Sequence, residues 1–543
     1  MTFRGRFLGS VLRRPPLGFK LAIGVLAGFV VGGALSGAKQ LKENASKPPV
    51  ALQSGAIAPV LTQTAFATGS APLSAANGRP QLDPLPRAEE VWECEVVVVG
   101  GSLGGVAAAH QAMKSGIQTC LIELSPWLGG QISSQGVSAV DESRAMGWRQ
   151  NFSQNWLDFK QLIRSQPISL PDWTGMGHFQ TAYEANSCWV GSLCFLPAAG
   201  ASAAQQWLQQ ALPTAPGSHW ATSTAFKGAA FDPTGRTITA VYGVKRIPKH
   251  PQYVPTGRLS QELPVWYAWS EDDRFEKIPI RLQPPVGKRL LVIDASDTGE
   301  LVAWAQIPHR IGSDAQGWLG EPNAPAEANP ACTQAVTFPF AVAILDDLGS
   351  SHQLLSQVQT SLPKSDYRPS FDMEGYPMFH GRSLFNYRRI ISKYRGRASV
   401  NRSLAGEITL VNWNRGNDWN IIDDPLIMDG AALAATQQYQ NWMGGLSSQA
   451  LNYAEENALV FAEWLLETKA TATMPLTFLS GPDSPLGTQS GLSLMPYIRE
   501  GRRIIGWPAY GQEEFMITET DIRSDMAGGR SFADTAIALA HYD

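Results

Sequence analysis

The sequence predicts an α/β protein built around a parallel sheet, and three stretches predict it. EVVVVGGSLGGVAAAHQAMKSGIQTCLIE (95–123) runs from an apolar strand through a glycine-rich turn and a helix of small residues into a second apolar strand. RLLVIDAS (289–296) is another continuous apolar run, and such runs suit parallel strands buried on both faces. LAIGVLAGFVVGGALSGA (21–38) carries no charge and stands apart from the rest. The resulting plan is a parallel-sheet domain interrupted by a mixed α+β region, behind an N-terminal membrane anchor or signal segment.

That first segment follows Arg4, Arg6, Arg13, Arg14 and Lys20 and precedes Lys39, Lys42 and Lys47. The excess of positive charge before the span favours an N-in orientation, with the body facing the periplasm, a lumen or the exterior. The span sits at the short limit for a membrane helix and is long for a signal-peptide core, and Ala34, Ser36 and Ala38 would permit cleavage. The protein is therefore expected to be membrane-anchored or exported, touching the membrane through this segment if it is uncleaved.

Residues 1–45 form this targeting segment, and 46–89, rich in Pro, Ala, Ser and Thr, form a linker. The body opens with a strand at Cys94–Val99, a helix near Gly104–Ser115 and a strand at Gln118–Glu123. The nucleotide-binding domain is assigned to 90–140, an inserted mixed region to 141–285, and the return of the sheet to 286–310. Residues 311–543 make the substrate region and C-terminal return, with helical spacing over 430–468.

The net charge of -4 offers no basic footprint, which excludes a nucleic-acid partner on electrostatic grounds. Seventeen tryptophans point to buried aromatic surface or to a flat substrate. Among five cysteines, Cys94 and Cys120 are expected as buried thiols, and Cys188 and Cys194 could close a short loop in an oxidising compartment. No metal-ligand spacing and no G-x-S-x-G elbow is present, so neither metal nor hydrolase chemistry has support.

In the dinucleotide-binding turn, the first glycine makes the bend, the second admits the pyrophosphate and the third lets helix pack on strand. These positions are Gly100, Ser102 and Gly105, so serine replaces the second glycine. Serine is small, its hydroxyl can donate to a phosphate oxygen, and Gly101 and Gly104 add room. The helix N-terminus still offers unpaired N–H groups to an anion. Glu123 ends the second strand, where an acid accepts hydrogen bonds from both ribose hydroxyls and would repel a 2′-phosphate. The domain is thus a Rossmann-type FAD/NAD(P)-binding one, with NADP disfavoured.

A second glycine-rich segment follows in LSPWLGGQISSQG (124–136), with Gly129, Gly130 and Gln131. With LLVIDASDTGELVA (290–303), WVGSLCFLP (189–197), FNYRRI (385–390), VNWNRGNDW (411–419) and MPYIREGRRIIG (495–506), it resembles the FAD-dependent oxidoreductases with a glutathione-reductase-like FAD fold. The resemblance implies FAD as cofactor, with Gly129, Gly130 and Gln131 near the pyrophosphate and flavin, and Asp294 and Ala295 near the adenine end. Members of that family return to the first domain with a closing strand, glycine turn and helix. AGGRSFADTAIALA (527–540) is the candidate here and lacks a preceding apolar strand, so an exposed sheet edge is expected.

Arg499 and Arg503 are candidate catalytic residues, to stabilise reduced flavin or clamp a substrate carboxylate. His380, in PMFHGRS, is a candidate acid or base. Arg388, Arg389, Asn412, Asn417 and Asp418 are further polar candidates, as are Asp141 and Glu142; each has an ordinary structural alternative. The expected function is an FAD-dependent oxidoreductase moving a hydride or electron pair between a small organic substrate and flavin. The alternatives are a flavin-binding scaffold without turnover and a secreted carbohydrate-binding protein. Oligomeric state is not legible.

Overall fold

A computed structural model describes residues 88–319, 321–345, 348–373, 379, 381–394, 402–419 and 425–532. The expected anchor, almost all of the linker, His380 and residues 533–540 of the C-terminal candidate lie outside the described residues. Among the described residues no helix is long and apolar enough to cross a membrane.

The chain enters as β1 (Glu90–Glu93) and β2 (Val96–Val99), turns into α1 (Leu103–Lys114) and returns as β3 (Thr119–Ile122). Two helices, α2 (Gln154–Ser165) and α3 (Pro197–Ala211), lead to β4 (His219–Ala221). Then come β5 (Thr224–Phe231), β6 (Ile238–Pro248), β7 (Phe275–Gln283), β8 (Leu291–Asp294) and the short α4 (Glu300–Trp304). The last part contributes β9 (Phe340–Ile344), β10 (Arg389–Ile391), β11 (Ile408–Val411), the long α5 (Ser448–Lys469) and β12 (Leu476–Phe478).

The parallel sheet has the order β8-β2-β3-β4. Both inner strands are buried along their whole length, as their unbroken apolar sequences require. Gly105, Val106, Ala109 and Met113 of α1 are buried against the sheet, and Gly105 lets the start of the helix come close. α3 packs on α1 through Ala203, Ala204 and Trp207, and these residues share one core with Val96 and Val98. The fourth strand therefore comes from inside the region assigned as an insertion. His219–Ala221 escapes a sequence reading because it is three residues long and carries a polar residue.

β8 forms the edge, and Leu291 and Ile293 point into solvent at 62% and 37% exposure. A second sheet, β1-β7-β6-β5, is antiparallel except for β1 on β7. The third, β10-β11-β9-β12, is antiparallel and meets α5, whose buried face runs from Ala450 to Leu466. The helical pattern over 430–468 resolves into two helices, Gly430–Ala435 and α5. Most tryptophans serve the core, Trp266 and Trp304 being fully enclosed, while Trp148 and Trp507 are exposed.

Cys94 and Cys120 are not thiols but a disulfide, and Cys188–Cys194 is a second one. Cys94 lies just before β2 and Cys120 within the adjacent β3, a Cα separation of 5.8 Å that a bridge can span. Sequence distance hid the pairing: Cys120 lies opposite Val97 in the parallel pair, and Cys94, just before β2, reaches it from outside the paired residues. The bridge closes a loop of 26 residues, and on the chain-entropy model it stabilises the fold by about 3.5 kcal/mol. Cys94→Ala with Cys120→Ala is expected to lower the melting temperature by several degrees. Mass spectrometry after alkylation without reductant checks the premise: one modified cysteine, Cys332, is expected, and five would sink it.

Candidate cofactor site

Gly100 leaves β2 with φ +100°, a conformation that costs glycine little, and a Cβ there would strike the backbone of Ser296. At Gly101 a Cβ would stand 2.6 Å from Leu128 Cδ2 and 2.9 Å from Glu123 Cβ. At Gly105 it would overlap the Gly100 carbonyl oxygen, so this glycine lets α1 seat against the turn. Gly104 differs: it is exposed, and a Cβ would meet only Ser102 Oγ at 3.8 Å. The open side of the turn is therefore at Gly104, beside the first-turn N–H groups that have no intrahelical partner.

Ser102 is the N-cap of α1. Its Oγ accepts from Gly105 N–H at 3.2 Å and donates to the Ala295 carbonyl at 2.8 Å. The hydroxyl proton is thus committed to the neighbouring strand end, which corrects the expectation that it would serve a phosphate. Serine repairs with its side chain what a missing glycine loosens: it satisfies one helix N–H and ties α1 to β8.

The second glycine segment lies directly on the first. Gly129 N–H donates to Gly101 O at 2.8 Å, and Gly130, at φ +52°, leaves only 3.0 Å between a would-be Cβ and Ser102 Cα. Gln131 is exposed next to this contact. Glu123 joins both elements, its Oε2 accepting from Gly101 N–H at 2.6 Å and its Oε1 from Ser125 N–H at 2.8 Å. Burial raises its carboxyl above the usual range, opposed by those two N–H groups and by the Arg246 guanidinium. A carboxylate has about four acceptor positions, so room remains for two ribose hydroxyls.

Asp294 and Ala295 have structural work. The Asp294 carboxylate accepts from Ser296 N–H and Oγ–H at 3.1 and 2.7 Å and from Val302 N–H at 3.0 Å, tying β8 to α4. Ala295 fills the space against Gly100 and Gly105. The cleft beside them is lined instead by Gly100, Glu123, Thr224, Ser296, Asp297 and Glu300, and Met495 and Ile498 close it from the C-terminal side. Sequence reasoning stopped at Ala295 and missed Asp297 and Glu300. The signal was the density of acids in DASDTGE.

The candidate catalytic arginines diverge. Arg499 donates to Asp418 Oδ1 at 3.0 Å, to Ala335 O and to Thr337 Oγ1. Arg503 pairs with Glu500 at 2.6 Å and with Asp314 at 3.1 Å. Both are committed to ion pairs, and neither lines the cleft. Their neighbour Arg502 comes closer, donating to Thr298, Met428 and Gly445 carbonyls. Arg389 and Glu407 form a buried pair at 2.8 Å, Asn417 holds a buried turn, and Glu142 pairs with Lys160.

A family model described as FAD dependent oxidoreductase matches residues 95–249 and 288–543, more than half of the chain. The chain belongs to the FAD dependent oxidoreductase family. No curated protein matches. Similar solved structures include CabE, an aromatic hydroxylase from angucycline biosynthesis, at 12% identity and a TM-score of 0.23, covering 47% of this chain and 37% of that one. A geranylgeranyl bacteriochlorophyll reductase-like protein from Thermoplasma acidophilum is similar at 13% identity and a TM-score of 0.23, covering 47% and 48%. The flavin-dependent monooxygenase PieE, solved with FAD and substrate, is similar at 11% identity and a TM-score of 0.20, covering 47% and 36%. The chain thus spans less than half of these three proteins, and the assignment rests on the family match.

The residues present fit FAD. The turn is open at Gly104, the helix N-terminus faces that opening, and Glu123 stands at the end of β3 with unused acceptor positions. A carboxylate there repels a 2′-phosphate, which sets this site against NADP.

Proposed function

We propose that this chain moves a hydride or electron pair between a small organic substrate and FAD. FAD supplies the redox chemistry; the protein binds, orients and tunes it. Glu123 holds the adenosine ribose, the α1 N-terminus and Gly104 receive the diphosphate, and Gly129, Gly130 and Gln131 lead toward the flavin. The observation that carries this reading is the stacking of the two glycine segments, with Glu123 hydrogen-bonded to the first. The Ser102 cap and the Ala295 contact keep the turn rigid, so its N–H groups are fixed before the anion arrives.

We further propose that the body works outside the cytoplasm, anchored or exported through residues 21–38. Two disulfides, one of them inside the nucleotide-binding sheet, support an oxidising compartment.

The test is an absorption spectrum of the purified protein before and after acid precipitation. Bands near about 370 and 450 nm that move to the supernatant are expected for non-covalent FAD. A colourless protein that also fails to take up added FAD sinks the proposal.

A further inference from the structure

We propose that the small organic substrate is a planar carboxylate, gripped by Arg388 beside the rings of Tyr387 and Trp189. The inference deepens the oxidoreductase reading above and rests on it.

Charge points to the segment first. Residues 375–406 hold seven lysines and arginines and no aspartate or glutamate, within a chain whose net charge is -4. Two adjacent arginines of that segment differ in what they bind. Arg389 is spent: its Nε donates to Ser187 O at 2.7 Å, its Nη1 to Glu407 Oε2 at 2.8 Å and its Nη2 to Ser187 Oγ at 3.1 Å. The guanidinium of Arg388 has no such set of partners. Its Nε and Nη1 are enclosed without a hydrogen-bond acceptor, and its Nη2 makes a long contact to Tyr387 Oη at 3.4 Å. Enclosed donors without acceptors are costly, and an arginine with a purely structural role finds carbonyls or a carboxylate, as Arg389 does.

Arg388 also belongs to a stack. Its Cζ lies 4.8 Å from the centre of the Tyr387 ring, which lies 4.6 Å from the Trp189 ring. Arg382 Cζ stands 5.0 Å from the centre of Trp189, and Phe379 meets both rings edge-on at 5.7 Å. Neither Arg382 nor Arg388 forms an ion pair among the described residues. Arg382 is exposed and the rings are half-buried, so solvent reaches this surface.

The stack is tied to the second glycine segment. Just beyond Gly136, Ala139–Val140 pairs with Leu193–Cys194, and the Cys188–Cys194 bridge closes the loop that carries Trp189. From that loop Trp189 and Val190 N–H donate to the Asn386 and Tyr387 carbonyls, each at 3.2 Å. The Arg388 carbonyl in turn accepts from Leu410 N–H of β11 at 3.2 Å. The proposed path toward the flavin thus runs into the segment that holds these arginines and rings.

A planar guanidinium fork matches a carboxylate, and the rings offer flat faces to an unsaturated body. A carboxylate entering beside Tyr387 replaces the long contact to its Oη with charge-assisted hydrogen bonds.

The test is titration calorimetry of benzoate, benzyl alcohol and phenyl phosphate into the full chain carrying FAD. Benzoate should bind at least about tenfold more tightly than benzyl alcohol, which lacks the charge. Arg388→Gln should weaken benzoate by about tenfold to a hundredfold and leave benzyl alcohol within about twofold. Arg388→Lys keeps the charge without the fork and should recover part of the loss. Lys393→Gln removes a charge from the same segment beyond the far end of β10, and screening should keep benzoate within about twofold. Thermal melts establish that the variants fold.

Equal affinity for benzoate and benzyl alcohol overturns the inference, as does benzoate binding that survives Arg388→Gln. An equal loss in Lys393→Gln would reduce the effect to overall charge, and tighter binding of phenyl phosphate would replace the carboxylate; either outcome sinks it. The visible flavin bands of the same sample separate the two levels. A chain that holds FAD and ignores benzoate refutes the carboxylate alone, whereas a chain that cannot hold FAD refutes the oxidoreductase reading and this inference with it.

Discussion

Glu123→Ala removes most of the affinity for FAD and leaves the affinity for FMN where it was. In the proposed site Glu123 reaches FAD only through the adenosine ribose, which FMN lacks. The substitution deletes two charge-assisted hydrogen bonds to ribose, each contributing about 1.5–3 kcal/mol. It also releases the Gly101 and Ser125 N–H groups that the carboxylate holds at 2.6 and 2.8 Å. A loss of about 3 kcal/mol or more corresponds to at least a hundredfold rise in the dissociation constant for FAD. Paired fluorescence titrations with FAD and FMN check this. Equal weakening of both ligands would mean that the variant merely disturbs the turn, and an unchanged FAD constant would remove Glu123 from the site.

The second expected result separates two neighbouring glycines. At Gly105 a methyl group overlaps the Gly100 carbonyl oxygen, so the turn or α1 must shift. Overpacking of this kind costs about 1–3 kcal/mol and moves the N–H groups that face the anion. Gly105→Ala should therefore lower both the melting temperature and FAD affinity. At Gly104 the added methyl meets nothing nearer than 3.8 Å, and alanine in a helix is favoured over glycine by about 1 kcal/mol. Gly104→Ala should melt at or above the native temperature and yet bind FAD worse, because the methyl occupies the open side of the turn. If Gly104→Ala leaves FAD affinity intact, the diphosphate does not lie where the geometry assigns it.

The turn and its acid were legible because they are local. Gly100, Gly105 and Glu123 sit within one strand–helix–strand unit, where spacing along the chain fixes spacing in space. Ser102 was legible as a departure, and its cap on Gly105 N–H is local, but its tie to the Ala295 carbonyl was hidden because that partner lies 193 residues away. The disulfide Cys94–Cys120 was hidden for a similar reason: only the fold brings Cys94, just before β2, within reach of Cys120 on the neighbouring β3. The arginines of PYIREGRR attracted attention as a cationic cluster, yet Arg503 pairs within it with Glu500, and the other carboxylate partners, Asp314 and Asp418, come from distant segments. A side chain cannot announce from the sequence whether its charge is already spent.

By itself, the sequence determined the parallel sheet, the acid at the end of its second strand and the family to which the chain belongs. Each depends on patterns of a few residues and on apolar runs that can be satisfied only by burial between helices. The tertiary structure alone decided that His219–Ala221 joins the sheet, that Ser102 braces α1 against β8, and that Asp297 and Glu300 line the cleft beside Glu123. Those facts depend on which distant backbone carbonyls, amides and charges arrive beside each group, and long-range packing determines that arrangement.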